Sequence, residues 1–150
     1  MKPIKNFEEF VQERIAKKQS VDKSRARFLL QESDNSYEFL LEKIKKILLT
    51  DKNANDFVKS CHDIIMEIIR ANMLLRGYNA SGFGAHEAEV SYMRVLGFDE
   101  KTVQFADQIR YFRNGMLYYG AMLDKEYAEK VIAFTQKIYP TLKENAKSSI

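Results

Sequence analysis

The sequence predicts an all-α protein, an antiparallel up-and-down bundle of four long helices with short accessory helices. Three observations predict it. Apolar residues recur every three or four positions through most of the chain, the spacing of one buried helical face. Helix breakers are scarce, with two prolines and six glycines among 150 residues. No stretch alternates apolar and polar residues long enough for a sheet, and no repeat of solenoid period occurs.

A chain of this length reads as a single domain, 1–150, able to bury roughly two-thirds of its unfolded surface. Its core is expected over 22–143, with 1–20 as a short N-terminal helix and linker. Hydrophobic content of 45% and charged content of 30% fit a soluble globular protein. The formal charge of +3, from 24 basic and 21 acidic residues, is too mild for a dedicated polybasic DNA binder. The single cysteine, Cys61, excludes an intramolecular disulfide and suits a reducing compartment. No apolar signal core and no run near the ~18 residues of a membrane span is present. The expected location is cytoplasmic, with no membrane partner.

Phe7, Phe10, Val11 and Ile15 predict a short amphipathic helix over 5–18, closed by Lys17-Lys18-Gln19-Ser20. Asp22 or Ser24 can cap the next helix. Along it Ala26, Leu29, Leu30, Ser33, Tyr37, Leu40, Leu41, Ile44 and Leu48 form one face, about seven turns long. Lys43, Lys45 and Lys46 complement the helix dipole at its C-terminal end. After a polar break over 50–55, a third helix starts at Asn55 or Asp56. Its inward stripe is Phe57, Cys61, Ile64, Ile65, Ile68, Asn72 and Leu75, and Gly77 suits the left-handed cap that ends it. Cys61 on that stripe reads as a small buried hydrophobe rather than a nucleophile. His62 and Asp63 are adjacent, and adjacent helical residues do not face one another, which argues against a proton-transfer dyad. Asn72 is a candidate partner for Arg113.

The glycine-rich run 79–84 lacks the lysine and flanking strand of a phosphate-binding loop, so nucleotide cradling by that route is excluded. A helix over 85–96 follows, with Ala88, Tyr92 and Val95 inward and Gly97 as its stop. His86, in its first turn, has no partners at metal-ligand spacing. Its expected role is a hydrogen bond that holds the loop, and no metal or cofactor is expected. Asp99, or alternatively Thr102, caps the next helix, whose core face is Val103, Ala106, Ile109, Phe112 and Met116. Asp124 starts the last helix, with Ala128, Val131, Thr135, Ile138 and Leu142 on one side. Tyr139-Pro140 is expected to bend or trim it, and the polar tail 143–150 to fray.

The stretch 109–120 breaks the rules for a buried helix. It holds two arginines, three tyrosines, an asparagine and two glycines. Arg113 falls beside the inward residues Ile109, Phe112, Met116 and Leu117. A guanidinium cannot lose its charge, so Arg113 must find a partner or line a cleft. A structural hydrogen-bonded pair is the plain reading, a site the other. Gly115 and Gly120 each cost roughly 1 kcal/mol against Ala in a helix, which points to a kink, an end or a close approach.

The order of parts carries a further reading. A long helix opening at Ser24-Arg25-Ala26-Arg27 is followed by His62-Asp63 leading to Arg70-Ala71-Asn72. Then come Arg76-Gly77-Tyr78, His86-Glu87-Ala88-Glu89-Val90, and Arg113-Asn114 with Tyr118-Tyr119-Gly120. This order resembles the HEPN domain superfamily (higher eukaryotes and prokaryotes nucleotide-binding) over about 22–143. The likeness is to small stand-alone prokaryotic and archaeal members, related to the toxin half of HEPN–nucleotidyltransferase pairs. It implies a bundle of antiparallel helices that forms a homodimer. In active members it also implies metal-independent RNA cleavage, by an arginine followed after four to six residues by a histidine. Transferred residue by residue, Arg113 matches the arginine and Asn114 its polar follower, while Tyr118 stands where the histidine is expected. The resemblance thus implies catalytic roles for Arg113, Asn114 and Tyr118 and nucleic-acid contacts from Arg110, Arg113 and Tyr119. It also implies RNA as a ligand, a nucleotidyltransferase as candidate partner in a toxin–antitoxin arrangement, and no cofactor.

Chemistry gives the departure its weight. Cleaving RNA requires a base for the 2′-hydroxyl and an acid for the leaving oxygen, and imidazole can serve as either near neutrality. A tyrosine of pKa ~10 is a poor base at neutral pH, though it donates hydrogen bonds and stacks on bases. Arg113 can stabilise a phosphorane by charge and bidentate hydrogen bonds. Positions i and i+5 lie about 140° apart on a straight helix, so either Gly115 loosens the turn or Arg113 and Tyr118 serve different sides of the cleft. The expectation is an RNA-binding protein with weak or lapsed ribonuclease activity. The alternative is a non-catalytic dimerisation or adaptor module, with Met116, Tyr118 and Tyr119 anchoring a protein partner such as a nucleotidyltransferase.

Overall fold

A computed structural model describes residues 2–118, 120 and 122–150, with Leu117 and Tyr118 described in backbone alone. Among these the protein is predominantly helical. Its order is α1 (Phe7–Gln12), β1 (Ala16–Lys18), α2 (Lys23–Lys46), α3 (Ala54–Leu75), β2 (Tyr78–Ala80), α4 (Ala85–Val95), α5 (Glu100–Tyr118) and α6 (Lys125–Lys147). Helix α3 is the hub, packing against α2, α4, α5 and α6. A helix surrounded in this way must be apolar nearly all round, and α3 buries residues on every side, from Phe57 and Val58 to Leu74 and Leu75. The whole predicted stripe of α3 is buried, as is that of α6. No described helix is long and apolar enough to cross a membrane.

The helix starts follow capping chemistry. Asp22 accepts from the Arg25 amide at 3.0 Å, Asp99 from Thr102 at 2.8 Å and Asp124 from Tyr127 at 2.8 Å. Each satisfies a backbone donor with no partner inside its helix. That settles Asp22 over Ser24, and Asp99 over Thr102. Helix α3 begins earlier than its predicted start, with Asn53 in the cap position.

The N-terminal prediction is corrected. The helix expected over 5–18 ends at Gln12, Arg14 turns the chain at φ +62°, and residues 16–18 enter an antiparallel ribbon. Ala16 pairs with Ala80, Lys17 with Asn79 and Lys18 with Tyr78. Strands of three residues are too short to show alternation, so the expectation of no sheet fails for a physical reason. Nor is the segment a linker. Ile4, Phe7, Phe10 and Ala16 are buried, and Arg94 donates to the Lys5 and Ile4 carbonyls at 2.7 and 2.8 Å.

Three smaller expectations also change. Leu48 and Val95 are exposed, because α2 ends at Lys46 and Val95 closes α4 on the solvent side. Pro140 lies within α6 without ending it. Its neighbour Tyr139 is fixed by a hydroxyl contact of 3.1 Å to Ser33 and a stacked ring on Tyr37 at 4.2 Å. These contacts tie α6 to α2 beside the residue that lacks an amide hydrogen. The tail stays helical to Lys147, with Ala146 buried.

Gly77 ends α3 as expected, at φ +80°, and its carbonyl accepts from the Gln19 amide at 2.8 Å. A Cβ there would stand 2.7 Å from the Gln19 carbonyl oxygen. Gly77→Ala is therefore expected to cost about 1–3 kcal/mol, read by thermal denaturation. An unchanged melting temperature would contradict the close approach of these two backbones.

Candidate functional site

The interior face of α3 turns polar along one edge. His62, Met66 and Arg70 form a row at i, i+4 and i+8, with Asp63 and Glu67 beside it. Opposite this edge α4 presents His86, α5 presents Arg113 and Asn114, and α2 contributes Leu29. Together they line a cleft of about 420 Å³. The placement of Arg113 follows from Ile109, one turn earlier and buried, which docks α5 on the core.

His62 is nearly buried, and its Nδ1 lies 3.0 Å from Asp63 Oδ1. A carboxylate only accepts, so the hydrogen belongs on Nδ1 and Nε2 is left as an acceptor. Burial lowers the His62 pKa; the Asp63 contact opposes this, while the charges of Arg113 and His86 add to it. Burial works against ionisation of Asp63. The hydrogen bond from His62 and the charges of His62, Arg113 and Arg70 outweigh it and hold the carboxyl below its ordinary value.

The second imidazole is organised by a second carboxylate. Glu89, buried on α4, receives Arg70 Nε at 2.6 Å and Arg70 Nη2 at 3.3 Å, and its Oε1 lies 2.9 Å from His86 Nδ1. The rings of His62 and His86 stand edge to face, 6.5 Å between centroids at 87°. Arg113 differs from Arg70, since it forms no hydrogen bond or ion pair with any described residue. Its Nε and Nη1 are buried without a partner, and so is His62 Nε2. Among the described residues these three are the buried side-chain nitrogens or oxygens left unpaired, and all belong to this cleft. Such atoms are rare in folded proteins, because each carries its full desolvation cost.

A neighbouring cavity of about 720 Å³ shares His86 and Asn114 and adds Phe83, Arg110, Tyr111 and Phe112. Phe83 is 98% exposed and Tyr111 55%. Arg110 lies on this wall, but its guanidinium is committed to Asp107 at 2.6 Å.

Of the residues predicted for the site, Arg113 and Asn114 line the cleft and Arg110 its neighbour. The Tyr118 side chain and the whole of Tyr119 lie outside the described residues. Met116 is half-buried against the core.

Three expectations are overturned. Asn72 does not meet Arg113; its amide donates to the Ile68 and Leu142 carbonyls at 2.8 and 3.1 Å and accepts from Arg76 at 3.0 Å. His62 and Asp63 do meet. Their Cβ atoms leave the helix about 100° apart, but Asp63 lies at the exposed rim, where its short side chain is free to turn back onto the ring. His86 binds Glu89 rather than the loop. Cys61 is buried as expected, and burial pushes its thiol up to about 11. Arg70 and Glu67 carry no sequence signal of a site beyond the i, i+4, i+8 spacing of His62, Met66 and Arg70. Among the described residues, no three His, Cys, Asp or Glu side chains converge as a metal-ligand set.

No family model matches the chain, and no curated protein or solved structure matches it.

Proposed function

We propose that this cleft holds an RNA phosphodiester and that the chain is an RNA-binding protein of HEPN type. The observation that carries this reading is Arg113, a cation with two buried donors and no hydrogen bond or ion pair among the described residues. A guanidinium in that state matches a phosphate, whose oxygens accept the parallel hydrogen bonds of the fork. The Asp63 and Glu89 carboxylates nearby are already engaged, Asp63 by His62 and Glu89 by Arg70 and His86. The exposed rings of Phe83 and Tyr111 lie next to the cleft, as base-stacking platforms do in single-strand binders. On this reading the helices form the antiparallel up-and-down bundle of HEPN proteins, a homodimer joins two clefts, and a nucleotidyltransferase is the candidate protein partner.

Fluorescence anisotropy with labelled single-stranded and hairpin RNA tests the proposal. Arg113→Ala is expected to weaken binding by about tenfold or more, the worth of charge-assisted hydrogen bonds to phosphate, with circular dichroism unchanged. Equal affinity of wild type and Arg113→Ala would sink the phosphate reading. No RNA binding by a folded wild type would leave the adaptor alternative.

A further inference from the structure

We propose that His62, oriented by Asp63, and His86, oriented by Glu89, form the acid–base pair of an RNA transesterification in this cleft. The imidazole absent from position 118 is then supplied by α3 and α4. The inference rests on the reading of the cleft as an RNA site and adds to it the reaction and the residues that perform it.

The unpaired atoms specify the ligand. Arg113 Nε and Nη1 are donors, and His62 Nε2 is an acceptor once Nδ1 gives its hydrogen to Asp63. Their complement carries acceptor oxygens beside a hydroxyl donor. A phosphodiester with the neighbouring ribose 2′-hydroxyl has both, and a deoxyribose has only the first. On this proposal one such group would engage both the Arg113 fork and His62 Nε2.

The rings are placed for opposite tasks. His62 is enclosed and kept neutral, with a carboxylate behind it, as a general base requires. The side chain of His86 is half exposed, its Nδ1 faces Glu89, and its Nε2 is left for a leaving group. Their centroids, 6.5 Å apart, let one phosphodiester touch both, since each hydrogen bond spans ~2.8 Å.

The step balances without any other reactant. His62 Nε2 takes the proton of the 2′-hydroxyl, and O2′ forms its bond to phosphorus. Arg113 holds the non-bridging oxygens as charge accumulates. The bond from phosphorus to O5′ breaks, and O5′ takes the Nε2 proton of the His86 imidazolium. The products are a 2′,3′-cyclic phosphate and a 5′-hydroxyl, and both rings recover their starting states by proton exchange with water.

Charged groups around His62 come from three helices: Asp63, Glu67 and Arg70 on α3, His86 and Glu89 on α4, and Arg113 on α5; α2 contributes the apolar Leu29. The rate should rise with pH as His62 loses its proton. Because Asp63 holds the His62 pKa up, Asp63→Asn should move the acid limb to lower pH while lowering the rate.

The experiment uses a mixed-sequence single-stranded RNA, its all-deoxy counterpart and its 2′-O-methyl counterpart. Binding is followed by anisotropy and products by mass spectrometry. Wild type is expected to bind all three and to cleave only the RNA, leaving a cyclic phosphate. His62→Gln and His86→Gln should each lose about a hundredfold or more in rate while still binding. If His62→Gln does not fold, the half-exposed His86→Gln together with the Asp63→Asn pH profile carries the test. RNA bound but not cleaved by wild type overturns this inference and leaves the proposed function standing. A His62→Gln or His86→Gln rate equal to wild type overturns it as well, whereas failure to bind RNA removes both.

Discussion

Arg113→Met should melt at a higher temperature than wild type while losing RNA binding. Among the described residues, two nitrogens of the Arg113 guanidinium are shielded from water with no hydrogen-bond partner. Each unsatisfied buried polar group costs about 1–3 kcal/mol, and an uncompensated charge costs more. Methionine keeps the packing of the stem and removes that cost. Because Arg113 is only half-buried, the expected gain is about 1–2 kcal/mol, or several degrees in melting temperature. Loss of stability instead would mean that the guanidinium is structurally paired.

The same substitution has a signature in acid. The folded-state pKa of His62 lies below its ordinary value, partly because of the Arg113 charge. A histidine lowered in this way destabilises the fold as pH falls from its unfolded value towards its folded one, since only the unfolded chain then takes up the proton. Without Arg113 the two values approach each other, and the loss of stability over that window shrinks. Imidazole titration by NMR reports both.

Asn72→Ala is expected to produce the opposite result, a cost of about 2–4 kcal/mol with RNA binding kept. Asn72 is fully buried, and its amide joins α3 to the Leu142 carbonyl of α6 at 3.1 Å while its oxygen receives Arg76 at 3.0 Å. Alanine removes both side-chain bonds, leaves Arg76 only its 3.3 Å contact with the residue 72 carbonyl, and opens a void between two core helices. Urea denaturation should show a lower midpoint at an unchanged slope. A midpoint within error of wild type would show that the α3–α6 seam does not depend on this amide.

Much of the helical frame was legible, because periodicity reports burial directly. Every inward residue assigned to α3 and α6 is buried. The ribbon was not legible, since its pairing joins residues 16–18 to 78–80, a relation between distant segments that no local pattern encodes. The site divided in the same way. Arg113 stood out as a cation on an apolar face, and it lines the cleft. His62 and Asp63 are visible in the sequence too, but helix geometry fixes where Cβ atoms point and not where a rim side chain can reach. Glu89 as the common partner of Arg70 and His86 depends on how α4 lies across α3, so only the assembled fold brings those charges together.

Helix α3 carries His62, Asp63 and Arg70 on the same two turns that bury Ile64, Ile65, Ile68 and Ile69. The ordering of this half of the cleft is therefore already included in the free energy of folding. On the proposed reading an arriving strand would spend little of its binding energy arranging that floor. It would still have to organise the α5 side, where Arg113 has no hydrogen-bond partner among the described residues. On that reading affinity would be open to change along α5, whereas a change at a buried α3 position such as Ile65 or Ile68 also alters the stability of the fold.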